Sequence, residues 1–190
     1  MKTVLISILI SFSITACIDT QRYGECETSE KVKFRSLNFE FPLDGIKVKE
    51  ISNGKIIHSY RWLKTDSLMQ NSEIYWFFNG AFNKNERSDS TNFLRSSLIF
   101  GVTIHLLNEV TKSEAEVIKE LQKDYPGDYI KLTDYNKLPY YVYSKGCLKI
   151  IVQRGFSTNI VVPRISFVYG LSDDKVEIYA SSMGNLVYTE

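Results

Sequence analysis

Two neighbouring segments of the chain carry different hydrophobic periods: LIFGVTIHLL at residues 98–107 and TKSEAEVIKELQKDY at residues 111–125. The first segment alternates between core-type and other residues, which is typical of a half-buried β-strand. Its predicted core face consists of Phe100, Val102, Ile104 and Leu106. Because a strand period is followed at once by a helical period, we expect a helix that packs on a sheet.

The second segment predicts an amphipathic helix over residues 111–125. Thr111 and Glu114 match a capping box, in which each side chain bonds the free backbone N–H of the other residue. Pro126 and Gly127 follow the segment and are residues that commonly end a helix. The apolar residues at helical spacing are Val117, Ile118, Leu121 and Tyr125. We expect this stripe to cover one face of the sheet.

Strand patterns lie on both sides of the predicted helix. The pair Asn53-Gly54 favours a hairpin between residues 46–52 and 55–63, because both residues tolerate positive φ. Asp44-Gly45 predicts a similar turn. Further strands are predicted at 39–43, 73–78, 98–107, 129–132, 140–144, 148–154, 164–169 and 175–181. The sequence therefore predicts an α+β fold, with a mainly antiparallel sheet and one amphipathic helix packed on a face.

Composition favours a single globular domain. The chain has 190 residues, of which 44% are hydrophobic and 24% charged, as in ordinary soluble domains. Residues 17–30 are polar and non-periodic and predict a tether, which leaves residues 31–190 as one α+β domain. Without residues 1–16 the chain carries 22 basic and 22 acidic side chains. A net charge of zero provides no attraction to nucleic acid, so nucleic acid is not an expected partner.

The first residues have the three-part form of a secretory signal. Lys2 precedes an apolar run at residues 4–14, and small residues follow. The run is too short to cross a bilayer as a helix, which takes about 20 residues. Ile14-Thr15-Ala16-Cys17 resembles the lipobox of bacterial lipoproteins. The alternative is an ordinary cleaved signal.

The resemblance implies removal of residues 1–16, acylation of Cys17 and a mature protein attached to the membrane by lipid. Several acyl chains together hold a protein at a membrane far better than one. Ile18 follows the cysteine, where Asp is typical of lipoproteins retained in the inner membrane. The resemblance therefore implies a periplasm-facing protein at the outer membrane rather than the inner one.

Cys26 and Cys147 are the two cysteines that remain after Cys17. In an oxidising envelope compartment, two cysteines far apart in sequence are typical of a disulfide, because neither has a second ligand at metal-binding spacing. The bridge would close a loop of about 121 residues and remove roughly 5 kcal/mol of chain entropy from the unfolded state. In a reducing compartment both residues would be free thiols.

Motifs for catalysis or metal binding are not found in the sequence. A zinc site takes three or four ligands, and the only histidines are His58 and His105. The Gly-x-Ser-x-Gly elbow and glycine-rich phosphate loops are absent too. We therefore predict no catalytic residue, no metal and no cofactor. A cryptic hydrolase stays open as an alternative, because Ser, His and Asp can occur in any order.

Tyrosines are concentrated in one part of the chain, with six between residues 125 and 143. Tyrosine is enriched at protein interfaces, so we predict that Tyr135, Tyr140 and Tyr141 contact a partner. The alternative is that they are strand residues with one face buried. A polar stretch at residues 83–92 lies in a long connection and is either functional or simply flexible.

These observations predict a non-enzymatic, lipid-anchored domain that binds another protein in the periplasm. An immunity or inhibitor lipoprotein, which neutralises a toxin or enzyme, is the most specific form of this hypothesis. An accessory subunit of an envelope assembly or secretion machine is the alternative from the structural class.

Overall fold

The computed structural model describes residues 26, 28–52, 57–58, 62–65, 69, 71–79, 98–157 and 160–185. The predicted signal peptide, Cys17, the Asn53-Gly54 turn and the polar stretch at 83–92 lie outside these residues. Within them, the chain forms a two-stranded sheet, a nine-stranded sheet and three α-helices. The prediction of an α+β fold with a mainly antiparallel sheet is confirmed.

Every strand pair in the two sheets is antiparallel. The small sheet is a hairpin of β1 (Glu30–Phe34) and β2 (Leu37–Phe41). The strands of the large sheet are β3 (Leu43–Asp44), β4 (Ile57–His58), β5 (Trp62–Thr65), β6 (Ser72–Asn79), β7 (Leu98–Leu106), β8 (Ile130–Thr133), β9 (Pro139–Lys145), β10 (Leu148–Ser157) and β11 (Ile160–Tyr169). They are arranged in the order β4-β5-β6-β7-β11-β10-β9-β8, and β3 also pairs with β7.

The expectation of a single helix is wrong, because the described residues contain α1 (Gly45–Ile51), α2 (Glu114–Leu121) and α3 (Val176–Asn185). A short 3₁₀ turn, Asp173–Lys175, leads into α3. Helix α2 is the predicted amphipathic helix, but it is shorter than residues 111–125. Its capping box is formed by Ser113 and Glu116, two residues after the predicted pair.

Helix α1 occupies residues that were predicted as the strand 46–52. Asp44 does not make a hairpin turn there, because its carboxylate accepts a hydrogen bond from the backbone N–H of Lys47 at 2.8 Å and caps the helix. Val48 is fully buried and Ile51 packs on the same core. In so short a segment, Ile46 and Val48 fit the alternation of a strand, while Val48 and Ile51 fit the spacing of a helix. The helix cap formed by Asp44 therefore decides between strand and helix.

Helix α3 replaces the strand predicted at residues 175–181. Val176 and Ala180 satisfy alternation, which is why a strand was expected. The same residues, with Tyr179, also lie at helical spacing, and all three are buried against the sheet. Burial on one helix face therefore outweighs the local strand pattern.

Strand β7 contains an irregularity that changes its predicted core face. Phe77 of β6 lies opposite Gly101, while Phe78 lies opposite Ile99, so Phe100 has no direct partner on β6. An extra residue of this kind is a β-bulge, and it shifts the alternation of side chains by one position. Ile99 consequently joins Val102 in the core, and Phe100 packs on the opposite face of the sheet.

The large sheet has two covered faces, which we call the first face and the second face. The first face packs against the β1–β2 hairpin and α2 through a large cluster of apolar and aromatic residues. The second face packs against α3 through a smaller apolar cluster. Fully buried residues of the first-face core include Val32, Phe41, Val48, Ile74, Trp76, Val102, Ile104, Val117, Ile150, Val152, Ile165 and Phe167.

Candidate functional site

The three tyrosines predicted to contact a partner occupy different environments. Tyr135 lies in the β8–β9 turn and is 61% exposed. Tyr140 is buried on the second face, with its side chain only 3% exposed. Tyr141 is half-buried, and the Lys131 Nζ lies 5.9 Å from its ring centroid. The structure therefore places Tyr135 alone among them fully at the surface.

Exposed apolar residues lie on both sides of Tyr135 in the sequence. Half of the eight large apolar residues that are exposed in the described part of the chain fall within nine consecutive positions. We call this set the hairpin surface; it consists of Ile130, Leu132, Tyr135 and Leu138, which are 63%, 41%, 61% and 58% exposed. Clustered apolar side chains at a surface are typical of sites that bind other proteins.

Strand β8 lies at the end of the large sheet and pairs only with β9 among the described strands. The backbone N–H of Asp134 donates to the carbonyl of Leu138 at 3.0 Å, which starts the hydrogen-bonded ladder. Antiparallel ladders alternate, so Leu132 bonds Tyr140, while Lys131 and Thr133 direct their N–H and C=O groups away from β9. All four residues of β8 are exposed.

A groove of about 570 Å³ separates β8 from the start of α3. The apolar part of the groove lining consists of Leu132, Tyr140 and Val176, and carboxylates line the side formed by α3 and the turn before it. Asp173 bonds the Lys149 Nζ. We call this feature the acidic groove; it is lined by Lys131, Leu132, Thr133, Tyr140, Asp173, Asp174, Val176 and Glu177.

The second face also contains a buried row of polar side chains. Glu73, His105, Arg164 and Gln153 lie directly opposite one another on β6, β7, β11 and β10. All four are less than 9% exposed. Both Arg164 Nη2 and Gln153 Nε2 donate to the carbonyl of Ala180, at 3.1 and 3.2 Å. This row therefore connects the sheet to α3.

The Glu73 carboxylate is the most highly bonded group of the row. It accepts hydrogen bonds from Lys64 Nζ at 2.7 Å, Tyr75 Oη at 2.9 Å and Ser157 Oγ at 2.6 Å. Burial opposes its ionisation, but the bonds from Lys64, Ser157 and Tyr75 outweigh burial and lower the pKa of Glu73. These contacts join β5 and β6 to the end of β10.

His105 lies beside this carboxylate, and no described residue forms a hydrogen bond with its Nδ1. Its ring centroid is 5.0 Å from that of Tyr75. Burial, followed by the positive charge of Arg164, lowers the pKa of His105 to about 3. The imidazole is therefore neutral near pH 7, and Ser157 is bonded to a carboxylate instead of to this histidine. Within the described residues no group of three or more His, Cys, Asp or Glu side chains could hold a metal ion.

The chain segment before β1 is attached to one end of the large sheet. Cys26 and Cys147 lie at disulfide-bonding distance, with their Cα atoms 5.9 Å apart. The hydroxyl of Tyr169 lies 3.0 and 2.9 Å from the carbonyls of Cys26 and Thr28. The backbone N–H of Cys147 donates to Glu30 Oε1 at 3.2 Å. Cys26 is thus held beside the β9–β10 turn.

Sequence reasoning missed the apolar neighbours of Tyr135 and the carboxylates of the acidic groove. The alternation Ile130-Lys131-Leu132-Thr133 predicts one buried face, yet β8 lies beyond the area that α3 covers. The sequence signal that indicates an apolar surface here is the presence of Leu132 and Leu138 on either side of a turn that contains Tyr135. The sequence pattern places Asp173 and Asp174 in a turn and Glu177 in a strand. It therefore gives no indication that these three carboxylates line the same groove.

Comparisons with known proteins identify no relative: no family model, curated protein or solved structure matches the chain. No helix among the described residues is both long and apolar enough to cross a membrane.

Proposed function

We propose that this protein is a lipid-anchored domain of the bacterial envelope that binds another protein through the hairpin surface. The observation that carries the proposal is the concentration of exposed Ile130, Leu132, Tyr135 and Leu138 at an open sheet edge. Interface cores are enriched in aromatic and large apolar residues and depleted in charge. Tyr135 is the expected centre, because exposed tyrosines are frequent hot spots.

The position of the N-terminal connection supports this orientation. If Cys17 is acylated, the eight residues between it and Cys26 span at most about 30 Å. Cys26 is held at the β9–β10 turn, whereas Tyr135 lies at the opposite end of β9. Seven strand residues extend about 23 Å. The hairpin surface would therefore point away from the membrane, toward a partner in the periplasm.

Neutralisation of a toxin or enzyme that enters the periplasm is the most specific form of the proposal. An inhibitor needs a rigid surface and no chemistry of its own. Strand β9 supports β8 from behind, because β9 packs into the first-face core through Tyr143 and into the second-face cluster through Tyr140. Pre-organisation of this kind lowers the entropy cost of binding.

The test is capture of a periplasmic partner by the full-length protein in detergent. Tyr135→Ala combined with Leu138→Ala should weaken capture by about 30-fold or more, the loss expected for hot-spot residues. Leu98→Ala is the matched control, because Leu98 is 56% exposed but lies on β7, away from the hairpin surface. Equal capture by wild type and the double variant would refute the proposed surface.

Membrane attachment needs its own measurement. Metabolic labelling with a fatty-acid analogue should mark the wild type, and Cys17→Ser should abolish the label. A Cys17→Ser protein that is still labelled and still sediments with membranes would contradict the lipoprotein proposal.

A further inference from the structure

We propose that the partner binds as an extended segment that adds a strand to β8 and places a lysine or arginine side chain in the acidic groove. This inference rests on the proposed function, because it specifies how the partner is recognised. It requires an edge that can accept a strand, and a groove whose chemistry fits a basic side chain.

The backbone of β8 supplies the first requirement. Lys131 and Thr133 direct two N–H and two C=O groups away from β9, and no described strand bonds them. Proteins commonly protect such an edge with a very short strand, proline or a bulge. Strand β8 is itself only four residues long and includes Lys131, but it pairs with β9 over all four residues without a register shift and carries the exposed apolar side chains of Ile130 and Leu132. Strand addition to an open edge is a recurrent mode of peptide recognition.

The acidic groove supplies the second requirement. Asp173 is bonded to Lys149, but neither Asp174 nor Glu177 forms an ion pair among the described residues. A hydrogen bond from the Ser172 side chain is the main cause that lowers the pKa of Asp174, so this carboxylate is ionised. Lys131 also lines the groove, so two carboxylates without an ion pair among the described residues, Asp174 and Glu177, lie there with one lysine and next to apolar surface.

A lysine or arginine side chain matches this combination. Its aliphatic stem can cover Leu132 and Tyr140 while its charged head reaches Asp174 and Glu177. In an added strand every second side chain points to the same face of the sheet. Leu132 pairs with Tyr140, which packs on the second face, so one set of partner side chains faces the groove.

A second copy of this chain fits the groove less well. Two β8 strands related by a two-fold axis at Leu132 would place each Lys131 opposite Thr133. Lys131 pairs with Tyr141, which packs toward the first face, so the Lys131 of the second copy would extend from that face, whereas Tyr140 and the start of α3 lie on the other face. Self-pairing would bury apolar side chains without using the charge of the groove.

The experiment measures binding of defined peptides to the full-length protein in detergent. The probe is an acetylated heptapeptide of alternating threonine and lysine. Its two controls replace lysine by glutamate, or methylate the backbone nitrogens that would bond β8. Only the unmethylated lysine peptide should bind, and its affinity should fall as the salt concentration rises.

Two protein variants separate the backbone and charge requirements. Thr133→Pro removes an outward N–H without removing a β8–β9 hydrogen bond, and should abolish binding; Thr133→Val keeps this N–H and is its control. Asp174→Asn with Glu177→Gln should weaken binding about tenfold or more. Glu40→Gln, at an exposed position of β2, should change nothing. If Thr133→Pro fails to fold, the methylated peptide tests the same hydrogen bonds.

Equal affinity for the lysine and glutamate peptides, or binding that survives both Thr133→Pro and methylation, would overturn the inference. A concentration-dependent dimer that Thr133→Pro abolishes, with no peptide bound, would overturn it in favour of self-pairing. Partner capture that is lost in Tyr135→Ala/Leu138→Ala but retained in Thr133→Pro would overturn strand addition and leave the proposed function intact.

Discussion

The two faces of the large sheet are stabilised by different chemistry. On the first face, Phe167 contacts Phe34 and Tyr125 at ring-centroid distances of 6.3 and 5.9 Å, within a large cluster of apolar and aromatic residues. On the second face, Glu73 and His105 lie in a buried polar row. The first face is therefore stabilised mainly by burial of apolar groups, whereas the second combines a smaller apolar cluster with buried hydrogen bonds.

Ionic contacts on the first face are confined to its rim. Arg35 in the β1–β2 turn bonds Glu109 and Glu120, and Lys112 bonds the same two carboxylates. These side chains are 25–28% exposed. Charged side chains thus lie at the rim of the first-face core, whereas on the second face they are buried. This contrast predicts how each face responds to mutation and to pH.

Removal of a first-face ring should have the largest effect. Phe167→Ala should lower the free energy of unfolding by about 4 kcal/mol, because it removes a fully buried ring and leaves a cavity. Urea unfolding measures the loss. Val168→Ala, the next residue on β11 but on the second face, is the control and should cost less. A loss below about 1 kcal/mol for Phe167→Ala would contradict the dominance of apolar packing there.

Loss of the link between Cys26 and Cys147 should have the next largest effect on stability, because it releases the segment that leads into β1 of the first face. Cys26→Ser and Cys147→Ser should each lower stability by about 3 kcal/mol, and the double variant should add little. Melting temperatures under non-reducing conditions measure this. Strictly additive losses, or alkylation of both thiols in native unreduced protein, would exclude the bridge.

The second face should give the protein its sensitivity to mild acid. The folded-state pKa of His105, about 3, is depressed below the usual 6.5, so only the unfolded state takes up a proton between these values. Stability should therefore fall as pH decreases, by about 2 kcal/mol between pH 7 and pH 5 from this residue. His105→Phe should remove that part of the pH dependence.

Urea unfolding at the two pH values separates this effect from any change in packing. A packing change shifts both measurements equally, and loss of the titration changes only their difference. The same pH dependence in His105→Phe and wild type would show that the second face does not hold the imidazole neutral.

The smallest effect is expected at the rim of the first face. Glu120→Gln should cost about 1 kcal/mol at pH 7, the upper range for a partly exposed ion pair. Hydrogen bonds from Arg35, opposed by burial, lower the pKa of Glu120 to about 2. Its contribution is therefore complete above the ordinary pKa of 4.5 and is lost as pH falls toward 2. Equal acid unfolding of wild type and variant would contradict this.

Local sequence was sufficient for the long strands. The predicted segments at 73–78, 140–144, 148–154 and 164–169 lie within observed strands, and 98–107 extends one residue past β7. Each is long enough for one period to dominate. Helices α1 and α3 were missed because their few apolar residues satisfy both periods, and the choice depends on the Asp44 cap and on burial of Tyr179. The bulge at Phe100 has no local signal of its own.

The candidate site was predictable only in part, and the reason is physical. Tyrosine enrichment, strand alternation and helical spacing are properties of neighbouring residues, so they can be read along the chain. Exposure of Tyr135 and burial of Tyr140 depend on where β9 lies relative to α3. The order of strands leaves β8 at the edge and brings Glu73 to Ser157, two residues 84 positions apart. Such long-range pairings are selected by burial and hydrogen bonding of the whole sheet, because no short segment contains both partners.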